Sequence, residues 1–269
     1  MKLSTRARLT LRTAALAYLA VLVVLPVGTI FYRAFAPGLG AFAASVSTPA
    51  AISALNLTLL ILAIVVPLNV VLGTLAALAL VRGRFRGKAI LQALLDLPFA
   101  VSPVVVGVAL IALWGANGWF GALAGAGVRV IFALPGMVLA TAFVTVPFVV
   151  RELEPVLREL GDDQEQAAAT LGASAWQTFW RITLPSIRWG LIYGTLLTIS
   201  RGLGEYGAVL LVSSNLPGVS QTLTLLVHTR YADPANAHGA YSAATLLMGL
   251  SLATLTVTAL LERSRRRTA

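Results

Sequence analysis

Six apolar windows recur along the chain, at 13–32, 57–81, 89–114, 130–150, 190–213 and 240–261. About 20 apolar residues are enough for a helix to cross a bilayer. Of the 269 residues 58% are hydrophobic and only 11% charged, too little polar surface for a soluble domain of this length. The expected fold class is therefore an all-α integral membrane protein with six transmembrane helices. Cysteine is absent, which excludes disulfides and thiolate metal sites. The two histidines, His228 and His238, are ten residues apart with no third ligand nearby. They read as surface groups, and neither a metal site nor a catalytic centre is expected.

The net charge of +10 raises the question of nucleic acid. The placement of the basic residues answers it. Lys2, Arg6, Arg8 and Arg12 precede the first window, and Arg82, Arg84, Arg86 and Lys88 follow the second. Arg151, Arg158, Arg181 and Arg188 lie between the fourth and fifth, and Arg263, Arg265, Arg266 and Arg267 close the chain. Sixteen of the 20 basic residues thus fall on one side. Excess Lys and Arg mark cytoplasmic segments, so both termini are expected in the cytoplasm. The clusters also suit anionic lipid headgroups, and nucleic acid is not an expected partner. Ala34-Phe35-Ala36 after a basic and apolar start imitates a signal-peptide cleavage site. The apolar stretch is long for that role, and a retained helix is the favoured reading.

By this topology residues 151–189 form the long internal loop, read as two short helices. Asp163 with Gln166 matches a capping pattern for the first, and Ser174 with Gln177 for the second. Gly172 suits a left-handed stop between them. Trp176, Phe179, Trp180 and Thr183 have the i, i+3, i+4, i+7 spacing of one helix face. Pro185 is expected to break the chain before the next span. Spacing alone allows either a helix lying on lipid or a knob seated in a partner. The small Ala167, Ala168 and Gly172 favour the knob.

This segment resembles the EAA loop of ABC importer permeases, whose pattern is Glu-Ala-Ala, three residues, Gly, nine residues, Ile-x-Leu-Pro. Ala167, Ala168 and Gly172 match at the family spacing, and Ile182, Leu184 and Pro185 follow nine residues on. Gln166 stands where the family usually has Glu. Glu165, one position earlier, points about 100° away on a helix and is a poor substitute. In that family the loop forms coupling helices that sit in a groove of a separate ATPase subunit. The resemblance thus implies ATPase-coupling roles for Gln166, Ala167, Ala168, Gly172, Trp176, Ile182, Leu184 and Pro185.

The chain itself has no phosphate loop. The nearest string, Gly-Arg-Phe-Arg-Gly-Lys-Ala at 83–89, is one residue short between its glycines and lacks the magnesium-binding hydroxyl. Four further strings, at 94–107, 147–157, 171–191 and 200–215, resemble the W-type permeases of sulfate/thiosulfate importers. The Arg-x-x-Gly-Glu-Tyr-Gly-Ala pattern at 201–208 is shared with T-type and molybdate permeases. The resemblance covers roughly 56–261. It implies a MetI-like ABC type-1 permease domain there, with the coupling loop at 158–189. Residues 1–55 then hold the first helix and an outward loop, and 262–269 form a basic tail. It also implies a second permease of the T type, two copies of an ABC ATPase carrying ATP and magnesium, and a periplasmic sulfate-binding protein. No cofactor is expected in this chain, and the bacterial inner membrane is the expected location.

Arg201 and Glu205 lie deep in the fifth window at i and i+4. Ions inside a membrane face protein or a water path. The pair is either a helix-packing salt bridge or a charge-balanced station for a passing dianion. Gly202, Gly204 and Gly207 suit close packing there. Asp96 precedes Pro98, where helix distortion is expected. Ser102 and Pro103 lie one to two turns further along the same possible path. Thr198 and Ser200 are expected to bond back to helix carbonyls. Residues 214–239 read as an outward loop that meets the binding protein. The alternatives are a molybdate or tungstate permease and a secondary anion transporter. A membrane enzyme lacks a nucleophile–base pair or metal cluster.

Overall fold

The computed structural model describes residues 5–268, and among these every regular element is a helix. Helices α1 (Thr5–Leu19) and α2 (Leu25–Phe35) join through a π-helical turn. α3 (Leu39–Val46) and α4 (Pro49–Val81) follow, the latter capped by Thr48 with Pro49 in its first turn. Next come α5 (Lys88–Ala100), α6 (Pro103–Trp114), α7 (Gly121–Gly125) and α8 (Leu134–Leu160). α9 (Asp163–Thr170) and α10 (Ala175–Thr178) precede α11 (Leu184–Leu203). α12 (Gly207–Val212), α13 (Leu223–Ala232) and α14 (Ala237–Thr268) complete the chain.

Four helices among the described residues are long and apolar enough to cross a membrane: Arg8–Phe35, Pro49–Val81, Leu134–Leu160 and Pro234–Leu261. The third window is instead a bent pair, α5 and α6, with 116° between them. The bend falls at Pro103 rather than at Pro98. A residue before proline is driven out of the α region, and Ser102 takes ψ 137°. Pro98 stays within α5. The fifth window is also interrupted, because α11 ends at Leu203 and α12 begins at Gly207. α11 carries Arg188 and Arg201, and it is not among the helices apolar enough to count as a span.

The internal loop is shorter than expected. α8 continues to Leu160, so the loop proper begins at Gly161. Pro185 does not break the chain either. A π-helical turn at Phe179–Thr183 links α10 directly to α11, with the Leu184 N–H reaching back to the Phe179 carbonyl. The changed register falls beside Pro185, where a proline's missing N–H leaves the ladder incomplete anyway.

α4, α8 and α11 form the centre of the bundle. Gly73 and Gly194 let α4 and α11 close on Val149 of α8. A Cβ on Gly73 would lie 2.7 Å from the Val149 Cβ, and one on Gly194 would lie 3.0 Å from its Cα. Small residues at membrane helix interfaces allow this approach. Asn69, fully buried, donates to the Ala142 carbonyl at 3.1 Å and to Thr145 Oγ1 at 2.7 Å. Ala77, Leu80, Val149, Leu153, Leu157 and Ile187 pack one end of the core. Ala51, Ala54, Leu223, Leu226 and Ala243 pack the other.

Near that second end, residues 214–222 are not a simple outward loop. Ser220, Gln221 and Thr222 are buried. The Ser213 hydroxyl donates to the Ser220 carbonyl, and Gln221 bonds Asn215 and Thr229. His238 is not a surface group. Its Nε2 donates to the Ala34 carbonyl at 3.0 Å and ties α14 to α2. His228 is exposed and lies tilted against Tyr206, ring centres 5.4 Å apart. Arg230 donates to the Ser45 and Gly239 carbonyls and to Thr48 Oγ1, joining three turns. Burial lowers its pKa from the ordinary value, yet a guanidinium remains charged.

Candidate functional site

The hairpin 163–183 is built by local rules. α9 ends in a left-handed Gly172, φ +82°. The Ala173 N–H bonds the Ala168 carbonyl and the Gly172 N–H bonds the Ala169 carbonyl, which together make a Schellman stop. Ser174 then caps α10 with a full capping box, its Oγ accepting from the Gln177 N–H while Gln177 Oε1 accepts from the Ser174 N–H. The expected cap at the start of α9 is not formed. Asp163 is already helical, and Asp162 at the N-cap makes no side-chain bond.

The aromatic face is only partly as expected. Trp176, Phe179 and Trp180 cluster, with Trp176 and Trp180 edge to face at 5.4 Å. Trp176 is 69% exposed and Trp180 49%. Thr183 leaves this face and is buried, because the π turn inserts an extra residue into the register. Gln166 and Ala167 are exposed, Ala168 is buried, and no atom lies within 4 Å of a Cβ placed on Gly172. Ile182 and Leu184 are half-buried and Pro185 is exposed. The hairpin therefore offers an aromatic and small-residue surface that its own chain does not cover.

Two residues that spacing did not single out anchor it. Arg82 at the end of α4 pairs with Glu165, Nε to Oε2, at 2.9 Å. Thr183 Oγ1 donates to Glu165 Oε1 at 2.8 Å. Gln166 faces outward while Glu165 faces the bundle. The rotation between neighbours on a helix thus gives Glu165 a separate task.

Arg201 and Glu205 are brought together, Nη1 to Oε2, at 2.7 Å. They do not share one helix, because Glu205 lies beyond the end of α11. Its Oε1 accepts from the Ala208 N–H at 2.9 Å, so the carboxylate also serves the first turn of α12. Glu205 is 2% exposed and Arg201 32%. A cavity of about 10 Å³ beside Glu205, the size of one water, is lined by Thr58, Thr141, Thr222 and Thr224 together with the apolar Ile61, Leu203 and Val209. The two breaks meet here. A Cβ on Gly207 would lie 3.2 Å from Pro103 Cβ, and one on Gly202 would lie close against Leu62. Gly204 makes no such approach and marks the helix end.

Asp96 pairs with Arg151 of α8 at 3.1 Å and accepts from Gln92 at 3.2 Å. The Arg151 guanidinium also lies 3.7 Å from the centre of the Phe99 ring. This ties α5 to α8. Ser102 is exposed at the bend. Thr198 bonds back to the Gly194 carbonyl, whereas Ser200 bonds Thr254 of α14. Among the described residues no group of three His, Cys, Asp or Glu is placed to hold a metal.

A family model described as the inner membrane component of binding-protein-dependent transport systems matches residues 69–267. That span holds the hairpin and all the ion pairs above. The chain belongs to this family. The permease is 47% identical over 249 residues to the sulfate transport system permease protein CysW of Synechococcus elongatus, covering 92% of this chain and 87% of that one. It is 50% identical over 242 residues to the chloroplastic sulfate permease 2 of Chlamydomonas reinhardtii, covering 90% of this chain and 65% of the relative's length. In a crystal structure of a bacterial ABC transporter that imports alginate, one chain superposes with a TM-score of 0.74, covering 96% of this permease and 94% of that chain. At 16% identity that likeness is one of fold. The permease is a multi-pass membrane transport component rather than an enzyme.

Proposed function

We propose that the chain is the membrane subunit of an ATP-driven sulfate importer that also accepts thiosulfate. It would form part of the translocation path with a second permease of the T type. Two copies of an ATPase and an extracytoplasmic sulfate-binding protein complete the assembly. Both termini face the cytoplasm of a bacterial inner membrane. The observation that carries the reading is the identity with sulfate permeases over nine-tenths of the chain. The uncovered aromatic hairpin supports the ATPase as partner, because a secondary transporter has no use for a docking knob. ATP and magnesium belong to that partner.

Affinity purification of the tagged chain from its own membranes tests this reading. An ATPase should accompany the wild type and be lost from Gly172→Trp, with insertion unchanged. Purification without any ATPase would favour a secondary transporter.

A further inference from the structure

We propose that Arg82 and Glu165 form a clamp that makes the hairpin 163–183 move as one body with α4 and α8. They are positioning residues for coupling, and the proposal rests on the reading of the hairpin as an ATPase-docking element. The guanidinium uses all three of its nitrogens. Nε meets Glu165, Nη1 donates to the Leu157 carbonyl at 3.1 Å, and Nη2 donates to the Gly161 carbonyl. Leu157 and Gly161 end α8, whose last carbonyls have no helical partner and carry partial negative charge. Arg82 therefore caps one helix while ending another. Glu165 answers with both oxygens, the second held by the buried Thr183 at the start of the helix that becomes α11. One ion pair thus joins α4, α8, α9 and the root of α11.

Without it the α9 half of the hairpin is loosely held. The broad contacts of α9 are with α10 and the π turn rather than with the bundle. Its entry is Gly161, φ +63°, with nothing within 4 Å of a Cβ placed there, so no packing opposes a turn of the backbone at this residue. A push on Trp176 or Trp180 would still pass through the π turn into α11, but α9 would pivot at Gly161 instead of carrying it through Arg82 to α4 and the end of α8. Each side chain of the pair is 22% exposed. Such shelter, with the other two guanidinium nitrogens held by carbonyls and the second carboxylate oxygen by Thr183, separates this pair from a surface ion pair of negligible effect.

The test uses Glu165→Gln, which keeps shape and removes charge, and Arg82→Lys, which keeps charge and removes the fork. The assembled complex, reconstituted with its binding protein, is assayed for sulfate uptake and ATP hydrolysis in the same vesicles. Both variants should assemble and hydrolyse ATP, with sulfate moved per ATP reduced about tenfold. Unchanged coupling, or loss of assembly in step with uptake, would overturn the clamp. A second readout does not depend on the substrate. Spin labels at Leu171→Cys and Arg84→Cys should give a narrow distance distribution in the parent and a broad one with Glu165→Gln. An equally narrow distribution in both overturns the clamp. Absent sulfate uptake by the wild type, with the broadening still seen, would instead count against the substrate reading alone.

Discussion

At the scale of single residues, Glu205 is the most constrained charge in the bundle. It is nearly inaccessible, pairs with a partly exposed arginine, and holds the first turn of the helix that restarts within the fifth apolar window. Removing one partner of a buried pair costs about 3–5 kcal/mol, largely from the charge left behind. Arg201→Ala should therefore lower both complex yield and anion uptake. Arg201→Ala with Glu205→Gln removes the stranded charge and should recover the yield, with uptake still more than tenfold down. Uptake that recovers together with yield would make the pair a packing device only. The pairing itself was legible from the i, i+4 spacing. The helix end between the two residues was not, because Gly202, Gly204 and Gly207 suit close helix packing as well as they suit a break.

At the scale of elements, what was legible was local. The capping box at Ser174 and the left-handed Gly172 depend on neighbours within a few residues, and both formed as expected. The cap at Asp163 did not form: the N-cap position falls on Asp162, which fits the pattern equally well but makes no cap bond. The π turn was invisible to a 3.6-residue period, and it moved Thr183 from the aromatic face to the Glu165 carboxylate. The Arg82–Glu165 pair spans 83 positions; charge counting could only read Arg82 as a topology signal. Packing of α4 on α8 was marked only by Asn69, one turn before Gly73 in a mostly apolar stretch, and one polar residue does not name its partner helix. The contact of Gly73 with Val149 leaves no room for a methyl group. Gly73→Ala should cost about 1–3 kcal/mol by overpacking, read as a lower melting temperature of the purified complex. Adding Val149→Ala should return part of the loss, and an unshifted melting temperature in the single variant would contradict the contact.

At the scale of the whole molecule, the apolar windows located every long helix but not their shapes. Two windows became bent or interrupted helices whose breaks meet at Pro103 and Gly207. Discontinuous helices at membrane depth are tolerated where protein or a water-filled cavity surrounds them, which is consistent with a path lying beside Glu205. The charge bias gives a direction that can be checked separately. In intact cells stripped of the outer membrane, Asn236→Cys should react with an impermeant maleimide and Arg84→Cys should react only after lysis. The reverse pattern would invert the topology. The most direct test of the account is uptake of radiolabelled sulfate by cells with and without this gene, with unlabelled thiosulfate and molybdate as competitors. Uptake should require the gene and be suppressed better by thiosulfate than by molybdate. Sulfate uptake unchanged by loss of the gene, in cells with no second sulfate importer, would contradict it.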